Sequence, residues 1–377
     1  MPKDSLLIVA DSERNADMLY AVKAFVHDPF IWFTRKGRPH IVASDPDFDR
    51  LRKEARHCRV LSYSRQERRV ERGERGSNVS LGDVLAAVLE EHRIRKVTVP
   101  ESFPLGLARL LRSRRIKVKL AHGPFFPDRA WKSIDEIKKI NAAVVMAEVG
   151  LAEGLHALRR AKPGKGKRLF LNHAPLTAEK LRSIIDTAIL QAGGSANHTI
   201  VACGRPSSDP HHRGHGPLVG GEPIVIDVFP RSQRTGYFGD VTRTVVRGRA
   251  SEFVRGMFFA VVEAQTCAMA AARHGVPAAD IHRVAESVFR RRGFRTSRSN
   301  GRMEGFFHGI GHGVGLEIHE APRINARSQE TLRTGHVVTL EPGLYYHDIG
   351  GVRLEDVVLI DKKSARNLTK VEKQLEI

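Results

Sequence analysis

Pro223-Ile224-Val225-Ile226-Asp227-Val228-Phe229, then Gly236-Tyr237-Phe238-Gly239-Asp240-Val241-Thr242-Arg243-Thr244-Val245-Val246, is the stretch on which the fold turns. Two β-branched apolar runs flank a turn rich in Arg, Ser and Gly, which is the pattern of paired strands. Each run carries one aspartate, and the two are 13 residues apart. A carboxylate among buried strand residues costs several kcal/mol unless it is neutralised or holds a cation. Joined as a hairpin, the strands bring both carboxylates to one point.

Around this hairpin the chain alternates helical and strand patterns. A capping box, Ser133 to Glu136, opens a long helix whose Ile137, Ile140, Val144 and Leu151 keep helical spacing. Ala161 to Arg168 reads as a loop. A second helix carries Leu181, Ile184, Ile185, Ala188 and Ile189 and stops at Gly193-Gly194. A third spans roughly Glu252 to His274, and a fourth starts near Pro277 with Ile281, Val284 and Val288 on one face. Further strands are predicted at Thr199 to Cys203, Pro223 to Phe229, Tyr237 to Val246, Val337 to Leu340 and Val352 to Ile360.

Upstream, strand-like runs at Leu6 to Ala10, Phe30 to Phe33, His40 to Ala43, Val60 to Tyr63, Lys96 to Val99 and Ile116 to Leu120 alternate with helical stretches. The helices are predicted at Ala16 to Phe25, Asp47 to Arg56, Leu81 to His92 behind Ser80, and Leu105 to Arg114. That order reads as α/β. Arg65 to Asn78, charged and nearly without apolar residues, reads as an exposed loop. The pattern breaks at Gly123 to Asp128, so the domains are expected at 1–128 (α/β) and 129–377 (α+β).

The 377 residues, 41% of them hydrophobic, exclude disorder for most of the chain. Three scattered cysteines, Cys58, Cys203 and Cys267, offer neither a disulfide framework nor a CxxC zinc site, and point to a reducing compartment. The first apolar run is too short and too acidic in context for a signal peptide. Met257 to Ala272 contains Glu263, Gln265 and Thr266 and falls short of a membrane span. A soluble, cytoplasmic protein is expected. The net charge of +20 raises nucleic acid as a partner. The excess is +8 in residues 1–128 and +12 in the rest, so it follows length and forms no basic tail.

Beyond the hairpin come His312 between glycines, His319-Glu320, Glu341 in Thr339-Leu340-Glu341-Pro342-Gly343, and Glu355 in Gly351-Val352-Arg353-Leu354-Glu355. Asp227, Asp240, Glu341 and Glu355 with His312 make four carboxylates and one imidazole at or beside strand ends. Such a hard, oxygen-rich set suits two divalent ions of the Mn, Co or Zn type. Together with Pro210-His211, Gly236-Tyr237-Phe238-Gly239-Asp240-Val241-Thr242-Arg243-Thr244 and His308-Gly309-Ile310-Gly311-His312-Gly313, these blocks, in this order, resemble the pita-bread metallopeptidases of family M24. That family comprises methionine aminopeptidases, Xaa-Pro aminopeptidases and prolidases.

The resemblance covers nearly the whole chain and implies a creatinase-like α/β domain followed by a pita-bread catalytic domain. It implies a dinuclear centre. Asp227 would hold the first metal, His312 and Glu341 the second, and Asp240 and Glu355 would bridge both, with manganese favoured over cobalt or zinc. A metal-bridged hydroxide would attack the peptide carbonyl. Glu341 would carry the proton to the leaving amine, His319 would donate to the oxyanion, and His211 would contact substrate near the scissile bond. His308, Arg353 and Tyr345 would shape the pocket after that bond. A full domain before the catalytic region and the Gly-Val-Arg-Leu-Glu-Asp form of the last block favour the proline-specific branch. The expected activity is that of an Xaa-Pro aminopeptidase acting on proline-containing peptides, with a prolidase (Xaa-Pro dipeptidase) as the alternative and a homodimer as the family's habit.

Each residue also has a plainer reading. His308 and His211 in a Gly/Pro-rich setting fit structural roles, His212 and His215 fit solvated neighbours of His211, and Arg353 fits a salt bridge to Asp356. Val228-Phe229-Pro230-Arg231 stands where the family commonly has a small residue, so Arg231 or Arg234 is a candidate clamp for a substrate carboxylate, against the simpler reading of a solvated turn. The rival from another class is a catalytically silent pita-bread protein binding nucleic acid or acidic partners through Arg50 to Arg75 and Arg112 to Lys119. Only Tyr63 interleaves the first cluster, which leaves almost no stacking platform for bases, and no metal ligand is missing.

Overall fold

The computed structural model describes residues 4–73, 79–196, 198–299 and 301–377. The chain divides into two compact units, Met1–Arg129 and Ala130–Ile377.

The first unit is built on six strands: β1 (Ser5–Ala10), β2 (Phe30–Arg35), β3 (Arg38–Ala43), β4 (Arg59–Ser62), β5 (Lys96–Val99) and β6 (Lys117–Leu120). They form one sheet in the order β4-β3-β2-β1-β5-β6. The β1–β2 and β2–β3 pairs are antiparallel, and the outer pairs are parallel. Strand period two sends alternate residues into separate cores. Leu7, Val9, Ile31 and Phe33 pack on one face with Val84, Leu85 and Leu89. Ile8, Trp32 and Ile41 pack on the other with Met18, Val22 and Leu51. The covering helices are α1 (Ala16–Val22), α2 (Asp45–Glu54), α3 (Tyr63–Gly73), α4 (Leu81–Glu91) and α5 (Leu105–Ser113). Ser80 caps α4 in a full capping box with Asp83.

Two expectations are corrected here. Helix α1 stops at Val22 rather than Phe25 because Lys23 takes the left-handed conformation, φ 62°. Residues 65–73, read as loop, belong to helix α3, which also takes Tyr63 from the expected strand. Arg, Gln and Glu are strong helix formers without being apolar, so a search for apolar periodicity passes over them. Gln66 is buried and Arg69 pairs with Glu91 of α4 at 2.7 Å, which docks the helix. Residues 74–78 of the expected loop, with Arg75 of the basic cluster, lie outside the described residues. Within that cluster Arg50 is engaged by Asp47 and Glu54, and farther on Arg114 pairs with Asp83.

The second unit opens with α6 (Ile134–Arg160), capped by Ser133 and Glu136, and packs it on α7 (Ala178–Gln191). A three-stranded antiparallel sheet follows, with Pro223–Val228 between Ile200–Cys203 and Val241–Val246. A five-stranded sheet runs Glu320–Ile324, Gly311–Gly313, Val337–Leu340, Asp356–Ile360 and Ala365–Asn367. Gly343–Tyr346 and Gly350–Arg353 form a separate hairpin. Helices α8 (Glu252–Ala271) and α9 (Ala278–Arg291) pack against one another, and one core joins Met257, Val261 and Ile281 to Val338, Leu340, Val352 and Val358.

Strand ends differ from the sequence reading where chemistry intervenes. The run Val352 to Ile360 is broken at Leu354-Glu355, and the strand expected from Tyr237 begins at Val241, after Asp240. Helix α8 ends at Ala271 rather than His274. Length and composition do allow α8 to cross a membrane, contrary to the sequence reading, but Met257, Ala260, Val261 and Ala264 are fully buried in the core.

Candidate metal centre

Asp227 lies opposite Thr242 in the hairpin, and Val228–Val241 is the last pair before the connection, so Asp240 stands one residue beyond the ladder. Glu355 occupies the break in its strand. Its backbone N–H donates to the Thr242 carbonyl at 3.0 Å and its Oε2 accepts from Thr242 Oγ1 at 2.7 Å, which fastens it beside Asp240. His312 sits at the centre of the short strand Gly311–Gly313. A Cβ at Gly311 would meet the Thr339 carbonyl at 2.0 Å and one at Gly313 the Ala321 carbonyl at 2.2 Å, so only glycine permits this approach. Glu341 follows Val337–Leu340, with its N–H on the Ile310 carbonyl at 2.7 Å. From α8 the buried Gln265 amide donates to the carbonyls of Leu340 and Leu354 at 2.8 and 3.2 Å, the residues just before Glu341 and Glu355.

These elements bring Asp227, Asp240, His312, Glu341 and Glu355 to one cavity of about 660 Å³. Donor atoms of Asp240, His312 and Glu355 all lie within 4.8 Å of one another. His312 Nε2 is 3.7 Å from Asp240 Oδ2 and 3.6 Å from Glu341 Oε1. Those separations are too long for hydrogen bonds and suit donors grouped around one cation.

The electrostatics point the same way. Burial, with repulsion from Glu355, Asp227 and Glu341, raises Asp240 well above the usual carboxylate range. Burial and Glu355 do the same to Glu341. Glu355 is pushed up to about 7, by burial first and Asp227 next. His312 is pushed down to about 3 by burial and His319, so it is neutral near pH 7. Its Nδ1 lies 3.1 Å from the Gly313 carbonyl, which directs the Nε2 lone pair at the carboxylates. Asp227 Oδ1 is buried without a hydrogen-bond partner among the described residues. Crowded carboxylates, a neutral imidazole and an orphaned oxygen are the chemistry of a divalent-cation site.

A hydrogen-bonded train runs from this cluster to the pocket wall. Arg353 Nη2 donates to Asp227 Oδ2 at 2.8 Å, and Nη1 donates to Tyr345 Oη at 2.9 Å. Tyr345 Oη is 3.1 Å from His308 Nε2, while His308 Nδ1 is 2.6 Å from the Gly309 carbonyl. Burial pushes His308 down to about 4, so the ring is neutral, donating from Nδ1 and accepting from tyrosine at Nε2. Tyr345 is fully buried and stands behind the wall rather than in it. Arg353 therefore pairs with Asp227, whereas Asp356 pairs with Arg243 and Lys373.

His211 and His319 line the same cavity. His319 packs edge-on against His312, ring centroids 4.3 Å apart, and burial and Arg323 lower its pKa. Arg231 Nε donates to the Gly236 carbonyl at 3.1 Å and lies over Phe238; neither Arg231 nor Arg234 lines the cavity, as the turn reading requires. The sequence reading passed over Arg323 and Phe307, which do line it, and Lys132. Arg323 is paired in register with His312, a relation that strand alternation after Glu320 would have exposed. Lys132 Nζ reaches Glu320 at 2.6 Å in a buried ion pair that holds the turn carrying His319.

Solved structures share this architecture over nearly its whole length. The X-Pro aminopeptidase from Thermotoga maritima MSB8 superposes with a TM-score of 0.82 at 24% identity, covering 99% of this chain and 97% of that one. The prolidase from Pyrococcus furiosus gives 0.79 at 23%, covering 98% and 97%. The fold is thus the pita-bread fold with its preceding α/β domain. The sequence profile of metallopeptidase family M24 matches residues 138–362, which contain all five clustered donors. The Xaa-Pro dipeptidase of Pyrococcus horikoshii is 33% identical over 285 residues, 75% of each chain. The chain belongs to metallopeptidase family M24.

Proposed function

We propose that the chain is a metal-dependent exopeptidase that cleaves the bond between an N-terminal residue and a following proline. The observation that carries this reading is the convergence of Asp227, Asp240, His312, Glu341 and Glu355 on one cavity walled by His211, His308, His319 and Arg353. Asp227 would hold a first cation and His312 with Glu341 a second, with Asp240 and Glu355 between them. Two divalent ions, with manganese favoured and cobalt or zinc as alternatives, would supply a polarised carbonyl and an acidified water.

The chain's own groups do the rest. Glu341 takes the proton of the attacking water and returns it to the proline nitrogen as the bond breaks. His319 donates to the carbonyl oxygen as it gains charge, and His211 holds substrate beside the scissile bond. His308, with both ring nitrogens already engaged, offers its face together with Phe307 as an apolar wall for the proline ring. Arg353, fixed by Asp227 and Tyr345, sets the position of that wall.

The curated relative named Xaa-Pro dipeptidase supports a dipeptide substrate, and the structural relative named X-Pro aminopeptidase a longer one. The sequence argument above favours the proline-specific branch as a whole, so the aminopeptidase reading stands with the dipeptidase as its alternative. A homodimer belongs to the same proposal, and the three free cysteines accord with a cytoplasmic setting. The test is release of the first residue from Ala-Pro and Ala-Pro-Ala by manganese-loaded protein of measured metal content, with Asp240→Ala as control. Full metal occupancy without release of alanine from either peptide ends the proposal.

A further inference from the structure

A second cavity, of about 640 Å³, borders the first, and the two share Asp209, Pro210 and Phe307 in their walls. The shared wall is tied to the metal side, because Arg353 Nη1 donates to the Pro210 carbonyl at 3.3 Å. Arg205, Arg302 and His347 line the second cavity away from that wall. Arg302 Nη1 lies 2.9 and 3.1 Å from the two ring nitrogens of His347, and Arg205 Nη2 is 3.2 Å from Nε2 of the same ring.

The two guanidiniums differ in what balances them. Arg205 has Asp348 at 3.1 Å. Arg302 has no carboxylate within ion-pair distance among the described residues, since neighbouring Glu304 accepts the His347 backbone N–H at 3.0 Å and Asp209 accepts that of His211. A guanidinium carries five donors in a fork that matches a carboxylate, and one imidazole leaves most of them open. Met303, Pro206 and Phe307 supply an apolar floor beside these cations.

A short peptide is a dipole, with an ammonium at one end and a carboxylate at the other. The second cavity presents Arg302 without a carboxylate partner among the described residues, and Asp209 is the one acid among its lining residues. Its positive charge therefore attracts the carboxyl end of a peptide whose amino end lies in the first cavity. We propose that the second cavity receives the residues following the proline and that Arg302, with Arg205, binds the free α-carboxylate of a short oligopeptide. The substrate class is then peptides of three or more residues with a free C-terminus. This rests on the exopeptidase reading above and decides between its two forms.

The experiment compares manganese-loaded wild type, Arg302→Ala and Arg302→Lys on Ala-Pro, Ala-Pro-Ala and the C-terminal amide of Ala-Pro-Ala. Wild type is expected to favour the free acid over its amide roughly tenfold in kcat/KM, chiefly through KM, as one charge-assisted pair gives. Arg302→Ala is expected to abolish that preference, and Arg302→Lys, which keeps charge without the fork, to retain part of it. Equal turnover of acid and amide by wild type, or a preference that survives in Arg302→Ala, overturns the carboxylate subsite and leaves the peptidase standing. Failure of wild type on all three peptides instead removes the peptidase reading and the subsite with it. Arg302 is exposed, and matching melting curves establish that its variants fold.

Discussion

Arg353 and Asp227 form a buried ion pair, Nη2 to Oδ2 at 2.8 Å, with side chains only 4% and 13% exposed. Asp227 Oδ1, the other oxygen, has no hydrogen-bond partner among the described residues. The guanidinium's other arm holds Tyr345, and through it His308. One arginine thus joins the group of carboxylates to the wall facing substrate.

Removing that arginine would leave Asp227 buried with both oxygens unpaired. Breaking a buried pair in this way costs about 3 to 5 kcal/mol. Arg353→Ala is expected to lose that much in urea denaturation with chelator present, and clearly less with manganese, because a cation at Asp227 takes over part of the compensation. An equal loss with and without manganese would mean that Asp227 faces no metal.

Glu355 sets a pH dependence with a definite sign. Its pKa in the folded protein is raised to about 7 from 4.5, so the folded state binds the proton more tightly than the unfolded chain. Its contribution to stability is complete below pH 4.5 and is lost as pH climbs through 7, on the order of 3 kcal/mol. His312 and His308, depressed to about 3 and about 4, act oppositely: their contribution is present above pH 6.5 and is lost as pH falls. The carboxylate part is isolated by comparison with Glu355→Gln. The stability difference between metal-free wild type and this variant is expected to shift against wild type from pH 5 to pH 8, in denaturant titrations. A flat difference contradicts the raised pKa.

How much of this was legible depends on whether a residue announces itself locally. The capping boxes at Ser80 and Ser133 did, as side chain and spacing together satisfy helix-end donors. The clustered donors did as well, since a carboxylate or imidazole at the end of an apolar or glycine-rich strand is anomalous wherever it stands. Helix α3 did not, because its docking rests on one buried glutamine and an ion pair rather than on an apolar stripe. Lys132 was hidden for another reason: an ordinary surface cation and a buried one look alike until the partner, here Glu320 across the fold, is known, while Arg323 is itself exposed and only its register with His312 brings it to the cavity. The break before Asp356 was masked by the apolar residues on either side of Glu355.

Asp240→Asn keeps the shape of the side chain and removes one acid from a crowd of four. The metal-free protein is expected to gain roughly 1 to 2 kcal/mol at pH 8, a usual trade where function demands mutual repulsion. Metal content after dialysis and peptide cleavage are both expected to fall at least a hundredfold. Tm in chelator against Tm in manganese reads both effects. A variant less stable than wild type in chelator would show that Asp240 is a structural residue.

Gln265 supplies the last test, because it touches neither substrate nor donor atoms and yet binds the carbonyls preceding both Glu341 and Glu355. Gln265→Leu fills the same space and strands two buried acceptors, at about 1 to 3 kcal/mol each. If the amide positions the glutamates, manganese affinity measured by calorimetric titration drops about tenfold along with stability. Leu332→Ala, in the same core but away from these carbonyls, is expected to lose a similar 2 to 5 kcal/mol without moving the affinity. A parallel drop in affinity for both variants would reduce Gln265 to ordinary core packing, whereas a drop confined to Gln265→Leu ties the geometry of the metal centre to a single side chain on helix α8.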